Sequence, residues 1–253
     1  MNDLTCLVES REEELPGVIR LRLSGCGPAA GAAPGQFLMV ETSDGVFPVS
    51  RRPFTVSRID RSRGTVEIVF EVVGRGTECL AKASPGTQLR ILGPLGQGFR
   101  ISGNRWLLVG GGLGAAGFPL LADALPSVTV LLGASSASRL VRTGSEPVVA
   151  TEDGSAGRKG LVTDLLQDID WDAFDGIAVC GPVAMMKAVV DAVPESKLPL
   201  VQVSMESRMG CGWGACSGCA VPASSGGYLK CCVDGPVFAA LRIDWPRIDW
   251  SLT

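Results

Sequence analysis

Residues 106–117 read WLLVGGGLGAAG. Four bulky apolar residues run directly into three glycines, and small residues follow. An apolar run without polar alternation suits a strand covered on both faces. Glycines at its end permit a tight turn, and residues 116–124 then read as a helix. A strand, a glycine turn and a helix in that order are half of a βαβ unit. The chain therefore enters a parallel α/β architecture here.

The sequence before this stretch has another rhythm. Short apolar runs at 4–9, 18–23, 37–41, 66–72 and 88–92 are separated by turn clusters such as GCGPAAGAAPG (25–35). That pattern predicts an antiparallel β-barrel or sandwich over 1–101, with one short helix at 78–83. After the stretch, apolar runs at 128–132, 148–151, 176–180 and 200–204 alternate with helical patterns near 161–169 and 183–193. Residues 102–204 therefore read as the parallel α/β domain. Residues 205–253 are cysteine- and glycine-rich and end in a tail that repeats RIDW at 242–245 and 247–250. Two such short copies make no solenoid, and their Ile and Trp are expected to pack.

Composition narrows the chemistry. The 253 residues are 46% hydrophobic and 19% charged, with a net charge of −3. No basic field points to nucleic acid or an anionic membrane, and no apolar run is long enough to span a bilayer. The N-terminus lacks a signal-peptide plan, so a cytoplasmic location is expected. There is no histidine, which excludes Rieske ligation, zinc held by paired cysteines and histidines, and a histidine base. Nine cysteines are present, five of them between 211 and 232. In a reducing compartment such crowding means metal or redox chemistry more often than disulfides.

Three of those cysteines lie in MGCGWGACSGC (209–219), as Cys211-x4-Cys216-x2-Cys219. A fourth follows in KCCVDGPVF, at Cys231 or Cys232. The C-x4-C-x2-C…C order is that of plant-type [2Fe–2S] sites. Gly210, Gly212, Gly214 and Gly218 allow the backbone to approach the sulfurs and point N–H groups at them. Structural zinc usually pairs two C-x2-C knuckles, and only one is present. The short last gap suggests an appended cluster module. Cys6, Cys26 and Cys79 are isolated and read as small buried hydrophobes.

Two nucleotide signatures precede it. SRRPFTVSR (50–58) places an arginine, a fixed turn, an aromatic and a hydroxyl at a strand start, a set able to clamp a flavin. VVGRGTECL (72–80) offers backbone N–H groups before a short helix for a pyrophosphate. GGGLGAAG (110–117) is the glycine-rich turn of a dinucleotide fold. TEDGSAGRKG (151–160) and CGPVAMMKAV (180–189) follow at carboxyl ends of expected strands, where open α/β sheets bind ligands.

RPFT, GRGT, GGGLG and CGPVAMM in this order resemble the ferredoxin–NADP+ reductase superfamily. Adding ESRMGCGWGACSGC (206–219) and CCVDGPVF (231–238), the chain closely resembles the electron-transfer subunits of class 1B dihydroorotate dehydrogenase, over roughly residues 4–245. The resemblance implies an FAD-binding barrel, an NAD-binding α/β domain and a C-terminal [2Fe–2S] segment. It implies FAD contacts at Arg52, Pro53, Phe54, Thr55, Val69, Phe70, Glu71, Gly76 and Thr77. NAD contacts are expected at Gly110, Gly111, Gly112, Gly114, Asp153, Gly181 and Pro182, with Cys180 near the nicotinamide. Cys232, immediately before the x-D-G-P sequence, becomes the fourth ligand beside Cys211, Cys216 and Cys219. The partner implied is an FMN-containing catalytic subunit that oxidises dihydroorotate, in a heterotetramer of two of each chain. Electrons would run from FMN through the cluster and FAD to NAD+.

The chain departs from the family at three points. Glu71 stands where a basic residue is common, the glycine turn runs into Ala116-Gly117-Phe118-Pro119, and ASSASRL follows 132 in place of an acidic residue. In that last segment Arg139 could favour a 2′-phosphate. The other readings are a reductase subunit for ferredoxin, a hydrogenase or an oxygenase, and a regulatory metal-binding protein on the same scaffold.

Overall fold

The computed structural model describes residues 2–42 and 50–248. The first half forms strands β1 (Asp3–Leu15), β2 (Val18–Ser24), β3 (Phe37–Val40), β4 (Arg52–Asp60) and β5 (Thr65–Glu71), helix α1 (Arg75–Ala81) and strand β6 (Gln88–Leu95). They close into an antiparallel barrel of order β1-β2-β5-β4-β3-β6. Alternating residues fill its interior, with Leu21, Leu23, Leu38, Val56, Ile68 and Ile91 fully buried. β1 continues past the expected apolar run through SREEEL, because a turn at Gly17 (φ 75°) folds β2 back along it as far as Leu15–Val18.

One charged group sits on this barrel. Arg20 bonds Glu14 and, at 2.8 Å, Glu67, while Arg22 reaches Glu67 at 2.6 Å. The Arg20, Glu14 and Glu67 side chains are each at most 10% exposed. Breaking a buried pair leaves an uncompensated charge, which costs more than forming the pair gains. Glu67→Gln is therefore expected to lower stability by about 3 kcal/mol, read as a lowered denaturant midpoint.

The second half adds β7 (Arg105–Gly111), α2 (Phe118–Asp123), β8 (Ser127–Ala134), β9 (Val148–Thr151), β10 (Arg158–Lys159), β11 (Gly176–Cys180), α3 (Val183–Ala192) and β12 (Val201–Ser204). After them come β13 (Ala220–Pro222), β14 (Tyr228–Lys230) and β15 (Val237–Ala239). The sheet order is β10-β9-β8-β7-β11-β12-β15, parallel except for β15. Leu107, Val109, Ile177 and Val179 face α3 and its neighbours, whereas Trp106, Leu108 and Ala178 face Phe118 and Leu121. Every central strand is thus apolar on both sides, as its sequence requires.

Three helical expectations shift. The opening turn winds as a 3-10 helix over Gly112–Gly117, and α2 begins only at Phe118, with Pro119 in its first turn. The segment expected as a helix near 161–169 is a 3-10 helix, Val162–Asp168, in which the Asp164 carboxylate accepts from Leu161 N at 2.8 Å. The short barrel helix starts earlier than 78, at Arg75, where Thr77 Oγ1 caps its first turn by accepting from Val73 N at 2.9 Å.

In the tail, Ile243 and Trp245 of the first RIDW copy are buried, and Trp245 Nε1 donates to Ala240 O at 3.1 Å. Of the second copy, Ile248 is buried, while Asp249 and Trp250 lie outside the described residues. No helix among the described residues is long and apolar enough to cross a membrane.

Candidate functional site

A cleft of about 420 Å³ opens where the barrel meets the parallel sheet, a size ordinary for a small-molecule site. Arg52, Pro53, Phe54 and Thr55 line it from β4, Val69, Phe70 and Glu71 from β5, and Thr77 from α1. Gly114 and Cys180 line it from the sheet, and Met205, Glu206 and Met209 from the strand-to-cluster connection. Residues read from three separate motifs therefore share one wall. Gly76 is buried just behind it; a Cβ there would lie 3.1 Å from Arg52 Nε and 3.3 Å from Thr42 Oγ1.

The cleft's polar groups fit a dinucleotide flavin. Thr42 is 3% exposed, yet its hydroxyl has no hydrogen-bond partner among the described residues. A buried hydroxyl without a partner is costly, so this one fits a bound polar group beside Arg52 and the bare Gly76 backbone. Phe54 and Phe70 support the wall from inside the barrel, their ring centroids 5.2 Å apart. Glu71 is paired with Arg139 at 2.6 Å. That bond joins β5 to the connection after β8, so both residues have a structural task. It also occupies the arginine that could have met a 2′-phosphate. The Arg142 backbone N donates to Glu14 at 2.8 Å, a second bond from the connection after β8 to the barrel.

Gly110 and Gly111 end β7, and Cys180 ends β11. Successive strands leave β7 in one direction, through β8 to β10, and β11 returns on its other side. The two strand ends thus form a topological switch point, where open α/β sheets hold ligands. The turns touch closely: a Cβ on Gly114 would stand 2.5 Å from Gly181 Cα. Gly112 takes φ 50° and Gly181 φ 151°, and Pro182 precedes α3. Asp153 lies elsewhere, in the turn after β9. Its carboxylate accepts from the Ser155 hydroxyl at 2.6 Å and the Ser155 N at 2.9 Å, which lowers its pKa. It is not among the residues lining the cleft.

Cys180 is buried, and desolvation, followed by the nearby Glu206 charge, pushes its thiol up to about 12. Its Sγ donates to Ser204 O at 3.7 Å. It is a neutral packing and contact group in this cleft rather than a thiolate. Glu206 is exposed at the cleft's edge, and desolvation by the protein around it raises its carboxyl pKa.

Below the cleft the cysteines stand in two pairs. Cys211 Sγ accepts from the backbone N of both Trp213 and Cys216 at 3.5 Å. Burial opposes its charge, but those donors prevail and bring it to about 6. Cys219 Sγ lies 3.2 Å from Cys232 Sγ, and Cys232 N donates to Cys219 Sγ at 3.5 Å. Desolvation, with the Cys219 bond, holds Cys232 up at about 12. Among the described residues no three metal-capable side chains converge on one point. A single tetrahedral zinc needs four such groups, whereas a [2Fe–2S] cluster takes two thiolates on each iron. Two pairs fit the latter. Gly212 and Gly214, at φ 81° and 93°, turn the loop around them, and a Cβ at Gly212 would strike Met39 of the barrel at 2.4 Å. Cys231 is fully buried in the sheet's apolar core, where desolvation raises its thiol to about 12.

Sequence reasoning did not find Thr42, Met205, Glu206 or Met209. Glu206 and Met209 stand in the cysteine motif without being ligands, and the fold brings them and Met205 to the cleft, while Thr42 sits beside Gly76 behind its wall.

Residues 206–244 match the family model described as the iron–sulfur cluster binding domain of dihydroorotate dehydrogenase B. The chain is 38% identical to the dihydroorotate dehydrogenase B (NAD(+)) electron transfer subunit of Desulforamulus reducens, over 85% of this chain and 87% of that one. It is 33% identical to the subunit so named in Fusobacterium nucleatum, over 94% and 97% of the two chains. Among solved structures, a chain of an NADH-dependent reduced ferredoxin–NADP oxidoreductase superposes with a TM-score of 0.84 at 29% identity, covering 95% of this chain and 90% of that one. A ferredoxin reductase of carbazole 1,9a-dioxygenase shares the fold, with a TM-score of 0.66 at 20% identity over 80% and 68% of the two chains.

Proposed function

The chain belongs to the family of dihydroorotate dehydrogenase B (NAD(+)) electron transfer subunits, and from that premise we propose how its residues serve the reaction. The chain is an oxidoreductase subunit with FAD, a [2Fe–2S] cluster and NAD as electron acceptor. When bound, a flavin supplies the exchange between one-electron carriage and hydride chemistry that an iron–sulfur cluster lacks.

In this reading Arg52 and the Gly76 backbone hold the anionic linkage of FAD, with Thr42 giving a hydroxyl. Thr55, Val69 and Phe70 position the ring against the barrel. Gly110, Gly111, Gly112 and Gly114, with Gly181 and Pro182, leave the switch point bare for NAD, and Cys180 packs there as a neutral thiol. Cys211 with Cys216, and Cys219 with Cys232, hold the cluster. The observation that carries the reading is the single cleft walled by the barrel motif, the glycine turn and the residues leading to the cysteines.

The electron donor is a catalytic subunit, which we assign as FMN-containing, in an assembly of two copies of each chain in the cytoplasm. Trp213 and Val233, 52% and 43% exposed beside the cysteine pairs, give that partner an apolar surface. Such exposed apolar side chains at a functional loop suit an interface.

The test is co-expression with an FMN-dependent dihydroorotate-oxidising subunit. The two chains are expected to co-purify and to reduce NAD+ when given dihydroorotate. The similarity to the NADH-dependent ferredoxin–NADP oxidoreductase favours a second reading, with a different redox partner. If the pair fails with dihydroorotate while NADH still reduces an artificial acceptor, this second reading replaces the first. No NADH oxidation at all would leave only a regulatory metal-binding role.

A further inference from the structure

A smaller cavity, of about 290 Å³, lies at the other end of the parallel strands. Trp106 and Gly176, near the starts of β7 and β11, line it, and it shares no lining residue with the cleft, which it approaches at Pro236 and Val237. Two arginines also line it. Arg100 stands on the connection from barrel to sheet, and Arg242 on the turn after β15, within the cluster segment. Among the described residues neither guanidinium has an acidic or hydrogen-bonding partner.

The two acids in the same cavity are already engaged. Asp175 Oδ2 accepts from the backbone N of Asn104 at 2.7 Å and of Arg105 at 2.9 Å. Asp234 Oδ2 accepts from Lys230 N at 2.7 Å. Arg100, in turn, is held in place from the sheet. Its N donates to Gln202 Oε1 at 2.8 Å, and Gln202 Nε2 donates to its carbonyl at 2.9 Å. The remaining wall is mixed: Gln97, Ser102 and Gln202 offer polar groups beside Pro199, Leu200 and Val237 over the buried Trp106. Two exposed guanidinium groups without a protein acceptor, at the mouth of a cavity with amide and hydroxyl groups in its wall, match an oxygen anion borne on a small body.

We propose that this cavity is an oxyanion site that takes the phosphate or carboxylate of a small molecule between Arg100 and Arg242. The proposal does not depend on the reaction assigned above. It has a structural consequence. The bound anion ties the barrel–sheet connection to the segment after Cys232. Asp234 in that segment bonds Lys230, whose Nζ donates to Gly214 O in the cluster loop at 2.7 Å. Occupancy therefore steadies the backbone behind the cysteines.

The test uses the full chain loaded with flavin and cluster, titrated by calorimetry at constant ionic strength. One arm uses inorganic phosphate and the other orotate, which distinguishes a phosphoryl ligand from a carboxylate on a flat ring. Binding in the millimolar range or tighter is expected in at least one arm. Arg100→Gln and Arg242→Gln should each weaken it about tenfold, and Lys159→Gln, an equal charge change on β10, should not. Amide exchange over residues 234–242 should slow on binding. No binding in either arm, or an affinity unchanged in the double arginine variant, overturns the proposal.

Discussion

Cys232→Ser is expected to remove the visible absorbance of the cluster and its EPR signal after reduction, whereas Cys231→Ser is expected to leave both in place. The adjacent residues differ in what they face. Cys232 Sγ lies 3.2 Å from Cys219 Sγ, a partner in one of the two thiol pairs. Cys231 has no exposed surface and sits in the apolar core with Val203, Val221 and Phe238. Losing one of four thiolates leaves an iron with an alkoxide or water in place of sulfur, which destabilises a cluster built on four cysteine ligands. Serine at 231 instead costs the burial of a hydroxyl, about 1–3 kcal/mol, with the Ser207 side chain at hand to pair with it. Iron and sulfide analysis of both purified variants decides the matter. Loss of iron from the Cys231 variant alone would move the fourth ligand to that position.

Gly114→Ala should depress NAD+ reduction by about 10²-fold while flavin and cluster spectra persist. The added methyl would meet Gly181 Cα at 2.5 Å and Gly181 N at 2.7 Å. These are backbone atoms, so no side chain can swing away. The turns after β7 and β11 must part, and the nucleotide ledge between them loses its shape. The atoms the methyl meets belong to Gly181 and Cys180, and none to the barrel wall or the cysteine loop. The loss should therefore appear in kcat/KM for NAD+, with the flavin content unchanged. Unaltered NAD+ kinetics would remove Gly114 from the nucleotide site.

Much of this architecture is legible in the sequence, for a physical reason. The runs at 148–151 and 176–180 are strands over those same residues, because continuous apolar stretches bounded by turn residues leave few alternatives. Residues 52–55 are legible as a local motif and 69–71 through the family resemblance, and the cleft has both sets in its wall. Features that depend on distant partners are not legible. β1 runs on through three consecutive glutamates because β2 supplies its hydrogen bonds. Thr42 and Glu206 matter only through what the fold brings beside them. Asp153, just past the end of β9, is separated from β7 by β8.

β15 has one more consequence. It is three residues long and pairs with β12 through Gln202–Ala239, Val203–Phe238 and Ser204–Val237. Without it, β12 would be the border of the sheet, presenting unpaired N–H and C=O groups on an apolar strand, a template for chain-to-chain association. The strand that shields it lies just beyond Cys232. If iron limitation leaves this segment undocked, β12 becomes an open edge, and the iron-poor chain is expected to scatter more light on standing than the loaded one.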